Sequence, residues 1–192
     1  SGANVTLVDA GAIDLGASTV SGTYAVTATS GGGITDSGVL AITNGATFTV
    51  AGGQSIILDQ SSTFSSTVTF TPSSGTIAAV TINDSNAFDL KALTTTGNLT
   101  VTAGGAVTDS GTLVVPGTAT ISASGQAVTL DDSSNNFGTI AITGANVAIT
   151  DTNAIILGAA TVSGTYGITA GGAVTDSGTQ EITGVTTLAA GS

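Results

Sequence analysis

The chain contains no cysteine, histidine, methionine, tryptophan or arginine, and its only base is Lys91. Without cysteine there is no disulfide framework and no thiolate metal site, and any redox compartment is compatible with the sequence. One lysine among 192 residues, set against 12 acidic residues and a net charge of −11, cannot neutralise a phosphate backbone, so nucleic acid and anionic membrane surfaces are excluded as partners. No apolar run approaches the ~18 residues that would span a bilayer, so membrane insertion is not expected. Nor is any stretch apolar at helical spacing for three turns. Only two prolines are present and aromatics make up 4%. No leader pattern opens the sequence, as expected of a mature or internal piece.

What fills the chain is Thr, Ser, Val, Ile and Ala, punctuated by 28 glycines. β-branched residues suit a pleated surface, and Gly, Asn, Asp and Ser supply corners. Short alternating fragments such as NVTLVD, AIDLG and TFTV have the period of a strand. The composition is all-β.

The order of these fragments is repetitive. GGAVTDSGT stands at 104–112 and again, letter for letter, at 171–179, with GGGITDSGV at 31–39. A pattern of an apolar residue, any residue and then Asp recurs at Asp9, Asp36, Asp59, Asp84, Asp109, Asp131, Asp151 and Asp176. The mean step is roughly 24 residues, a period in the range of solenoid repeats. A longer period lies over it: residues 2–24 return at 144–166, with a looser copy around 80–90. A unit of two or three short strands cannot bury its apolar face alone, whereas stacked units enclose a continuous core. The expected fold is therefore a single-stranded parallel β-helix, a β-solenoid of about eight coils of roughly 24 residues. The expected organisation is one continuous array over 1–192, with long-repeat copies near 2–75, 76–143 and a partial 144–192, uncapped at both ends. An antiparallel sandwich is the rival, disfavoured because sandwich strands rarely repeat so closely.

Each segment with distinctive chemistry has a plainer reading beside it. The eight aspartates, stacked one per coil, would form a column of turn residues, each carboxylate bonding its own backbone. The same column is the one candidate metal site, for Ca²⁺, through Asp36, Asp109, Asp131 and Asp176. The turn reading is preferred, because the glycine-rich nonapeptide calcium repeat is absent, and no cofactor is expected. Asp131 and Asp132 could be read as a glycosidase pair, but adjacent strand residues point to opposite faces and no long loop leaves the repeat to build a cleft. No catalytic residue is assigned. Lys91, near Asp89, reads as half of an ion pair. Threonine arrays at 67–71 and 99–102 lack the coil-to-coil constancy of an ice-binding face. The five phenylalanines read as core fillers.

Three segments resemble a known family: GGAVTDSGTLVV (104–115), SGANVTLVDAGAIDLGASTVSG (1–22) and VTLDDSSNNFGTIAITGANVAITD (128–151) are similar to repeats of the large secreted bacterial adhesins of the filamentous-haemagglutinin type. The resemblance implies a right-handed parallel β-helix, export by a two-partner system, and adhesive or biofilm-matrix roles at the cell surface. The functional expectation is a structural extracellular fibre, either a self-stacking filament subunit or part of a long surface stalk. Its partner would be a further copy or covalent neighbouring repeats, with a surface glycan or host receptor as an added ligand. The alternatives are a carbohydrate- or Ca²⁺-binding module and, less favoured, a β-helix enzyme acting on polysaccharide.

Overall fold

A computed structural model describes residues 2–191. Among them there is no helix. The chain folds into 23 short strands paired in parallel, each to a strand roughly one turn earlier or later, and the result is a β-solenoid of about nine turns.

The hydrogen-bond register sets the size of a turn. Val5 lies opposite Tyr24, Tyr24 opposite Ala46 and Ala46 opposite Val68; a second run of partners links Phe88, Val107, Val128, Val147, Tyr166 and Thr186. The shortest advance from coil to coil is Thr139 to Ile156, and the longest is Ile56 to Val80. Most turns are therefore shorter than the aspartate step, and the expected eight coils become about nine. The aspartate step overestimates the turn because the aspartates do not recur once per turn.

Period-two alternation turns one side of every strand inward. Val26, Ile34, Phe48, Leu58, Ile82, Val101, Val115, Ile121 and Leu130 are fully buried, and they belong to one aliphatic core running along the axis. Because a parallel ladder stacks like positions, an inward residue meets inward residues of the coils before and after it. Tyr24 and Phe48 make an edge contact, Phe48 stacks near Phe70 and meets Phe64 edge-on, each at a ring-centroid separation of 6.1 Å. The phenylalanines are core residues; Phe88 and Phe137 are buried as well.

One ladder is interrupted. The four-stranded sheet that begins at Val5–Asp9 ends at Val68–Pro72, and the six-stranded sheet begins one turn later at Phe88–Leu90, with no backbone pairing between them. The chain at 73–79 takes an additional corner here, with Gly75 at a φ of 60° that favours glycine. At the start of the third long repeat, residues 145–146 connect their strands directly without such a corner.

The outermost strands differ from the interior ones. Leu7 is the ladder partner of fully buried Val26, yet it is 38% exposed; Leu188 is the partner of Ile168 and is 54% exposed. Both face along the axis where no described coil covers them.

Candidate functional site

The recurring TDSG segment builds a polar seam between coils. Its Thr and Ser are outward and two residues apart, so they sit over one outward residue of the preceding coil. In the first copy Thr35 and Ser37 donate to the Asp14 carboxylate, the serine at 2.8 Å. In the second, Thr108 donates to Asp89 Oδ1 at 3.0 Å and Ser110 to Asp89 Oδ2 at 2.7 Å. Lys91 completes that cluster, with Nζ 2.6 Å from Asp89 Oδ2 and 2.8 Å from Ser110 Oγ. Burial alone would raise the Asp89 pKa, but Lys91 and the two hydroxyls together hold it below the usual carboxylate value. In the third copy Ile156, 40% exposed, is paired opposite Thr175 and offers Thr175 and Ser177 no acceptor.

The glycines of the same segment explain its invariance. A Cβ on Gly105 would stand 2.6 Å from the Ala87 nitrogen, and one on Gly172 2.9 Å from the Ala154 nitrogen. Gly32, Gly38, Gly111 and Gly178 press equally on Ala12, Ala17, Ala92 and Ala159 of the preceding coil. The segment recurs because the same corner is stacked against the same alanine corner three times.

The aspartates do not form one column. The ladders pair Asp9 with Ala28, Asp36 with Leu15, Asp84 with Ser62 and Ala103, Asp109 with Leu90, Asp151 with Ala170 and Asp176 with Leu157. They are distributed over all three sheets. This corrects the expected stack, and among the described residues no three acidic side chains group as a metal site. The calcium candidates are instead occupied with backbone donors or separated: Asp109 accepts the Asp131 and Asp132 N–H groups, Asp36 accepts those of Asp59 and Gln60, and Asp131 and Asp176 are exposed.

Two kinds of aspartate emerge. Asp9, Asp84 and Asp151 each bond the N–H two residues on, Gly11, Asn86 and Asn153, and so close a turn. Asp84 and Asp151 also reach back to the N–H of Phe64 and Phe137 in the preceding coil, and both are almost wholly buried. Asp36 and Asp109 reach forward in the same way. Ser62 and Asn135, fully buried, cap the N–H groups of Leu40 and Leu113. These side chains supply acceptors to backbone donors that the ladder leaves unpaired at corners. Burial pushes the pKa of Asp36 and Asp84 up, against the lowering effect of those N–H bonds, and for Asp36 the Asp59 charge adds to the rise. The spaced Asp letters were visible in the sequence; Ser62 and Asn135, ordinary letters in a serine- and asparagine-rich chain, were not.

Asn4, Asn98 and Asn146 form a second, exposed set, each accepting the N–H of a threonine about one turn on: Thr23, Thr118 and Thr165. Asp131 and Asp132 do not act as a pair; Asp132 closes a turn with Ser134 and accepts from Thr112. The interrupted ladder opens two surface grooves. One, of about 430 Å³, lies between residues 64–68 and 86–89; the other, of about 340 Å³, lies between Phe70, Pro72, Gly75 and Thr76 on one side and Ala92, Leu93 and Thr94 on the other. They arise from splayed strands, a tertiary feature with no sequence motif.

The family model described as repeats of unknown function (DUF5649) matches three times, over residues 2–71, 77–143 and 144–192. The chain belongs to this repeat family. In the DUF5649 repeats of this chain, each matched segment begins at the corner before one of the turn-closing aspartates Asp9, Asp84 and Asp151. No curated protein and no solved structure matches the chain.

Proposed function

We propose that this chain is a segment of a structural fibre at a bacterial surface or in its extracellular matrix, and that its work is to hold length. The reading rests on one observation: the core and the parallel ladders run along the axis from coil to coil. An apolar strand face with unpaired backbone edges is a template for another coil. The natural cover is a further coil of the same kind, from a second copy or from neighbouring repeats in one chain.

The charge supports an exposed, solvated rod. Eleven net negative charges on a cylinder oppose lateral association and leave axial stacking as the favoured contact. The resemblance to adhesin repeats supports placement outside the cell and an adhesive role as a consequence of length. No catalytic role is proposed: the Asp89 carboxylate is paired with Lys91 and held by the hydroxyls of Thr108 and Ser110.

Electron microscopy of the purified 192-residue chain after low-salt dialysis tests the proposal. Nine turns at ~4.8 Å give a rod on the order of 43 Å. Rods of that length, or unbranched fibres with that axial repeat, are the expected result, the latter assigning the cover to a second copy. Compact particles with no axial repeat would refute a load-bearing rod.

A further inference from the structure

The first and second long repeats provide an internal comparison at one buried corner. In the second, Asn135 is fully buried and acts twice: its Oδ1 accepts the Leu113 N–H at 2.8 Å and its Nδ2 donates to Asp109 Oδ2 at 2.6 Å. Asp109 Oδ1 accepts the Asp131 N–H at 3.0 Å. In the first repeat Ser62 stands in place of Asn135. It is also fully buried, and its Oγ accepts the Leu40 N–H at 2.9 Å. Asp36 stands in place of Asp109 and its Oδ1 accepts the Asp59 N–H at 2.9 Å.

The backbone bonds of the two corners thus match, but the side-chain bond does not. Serine has two fewer heavy atoms than asparagine and no amide to extend toward the carboxylate. Asp36, only 7% exposed, keeps Oδ2 buried with no protein partner, and the Ser62 hydroxyl donates to no acceptor among the described residues. One acceptor lacks a donor and one donor lacks an acceptor, at a corner where the sister repeat places an amide.

We propose that the corner between Asp36 and Ser62 is a binding site for a single buried water, which donates to Asp36 Oδ2 and accepts from Ser62 Oγ, standing in for the Asn135 amide of the second repeat. A water needs two to four polar partners and about the volume of the two atoms that serine lacks. Leaving the carboxylate oxygen bare would be the costlier arrangement. Among the described residues the charge that acts on Asp36 is that of Asp59, which disfavours an ionised Asp36 and does not supply the missing donor.

The test joins high-resolution crystal structures of the intact wild-type chain, Ser62→Asn and Asn135→Ser to their thermal melts. The expected result is one water within hydrogen-bonding distance of Asp36 Oδ2 and Ser62 Oγ. Ser62→Asn should displace it, the new amide donating to Asp36 Oδ2 in the water's place as Asn135 does to Asp109, and because one donor replaces another Tm should move by no more than about 2–4 °C. Asn135→Ser should admit a second water within hydrogen-bonding distance of Asp109 Oδ2, which keeps the idea testable if Ser62→Asn folds poorly. A direct Ser62 to Asp36 Oδ2 bond with no water would overturn the proposal, as would a water that stays in place in Ser62→Asn. So would a Tm that depends on whether sodium, potassium or ammonium is present at constant ionic strength, since a cation would then occupy the corner.

Discussion

Replacing Gly105 by alanine puts a methyl group 2.6 Å from the nitrogen, 2.8 Å from the Cα and 3.0 Å from the Cβ of Ala87. Ordinary contact begins near ~3.5 Å, so the two coils must separate locally by about 1 Å. Ala87 is flanked by two inter-coil bonds, Gly105 N–H to the Asn86 carbonyl and Phe88 N–H to the Ala106 carbonyl, each 2.9 Å. A retreat of about 1 Å takes both beyond hydrogen-bonding range. At about 1 kcal/mol for each lost bond and about 1 kcal/mol for overpacking, the cost is about 3 kcal/mol. In a chain of this length that lowers Tm by about 6–12 °C. Gly16 is the control: nothing lies within 4 Å of a Cβ there and its backbone angle is ordinary, so Gly16→Ala should leave Tm within about 1 °C or raise it slightly. Thermal melts followed by far-UV circular dichroism measure both. If Gly105→Ala melts with the wild type, or Gly16→Ala falls as far, close coil packing is not what the repeated glycine serves.

Asp84→Ala strips acceptors from the Phe64 and Asn86 N–H groups in a buried corner and should cost about 2–4 kcal/mol, with the Phe64 amide exchanging faster; Asp9→Ala, at an exposed turn, should cost under about 1 kcal/mol. Ile156→Asp should give Thr175 and Ser177 the acceptor that Asp14 and Asp89 provide in the other copies, raising Tm by about 1–3 °C; a fall would show that the seam contributes nothing there. The raised pKa values of Asp36 and Asp84 mean that the folded state holds their protons more tightly than the unfolded one, so their contribution to stability is highest in acid and is lost as pH rises from the unfolded value of ~3.9 through their folded values. Asp89 runs the opposite way, its lowered pKa giving stability above the unfolded value that is lost on acidification through the folded one. Tm measured against pH should show the first trend flattened in Asp84→Asn and the second weakened in Lys91→Met, where the Ser110 and Thr108 hydroxyls remain.

The sequence by itself determined the class of fold. Alternating Val, Ile and Thr between Gly and Asp corners can only make short strands, and near-identical units can only bury their apolar sides by stacking on one another. It also contained the long repeat, because a corner such as GGAVTDSGT tolerates no Cβ against the alanine beneath it and so keeps its letters. What it did not contain was register. Which strand lies over which depends on how many residues each corner consumes, and corners of different length move successive aspartates onto different sheets: Asp9, Asp36 and Asp109 share a motif and no column. The turn is accordingly shorter than the aspartate spacing suggests. Burial likewise followed from neighbours rather than from residue type, since Leu7 and Val26 are both inward apolar residues, and only the one with a coil on either side is removed from water. The same holds at the polar corners. Serine in place of asparagine is a small change in text, and only the folded corner, which buries Asp36 Oδ2 with no protein donor, gives it a consequence.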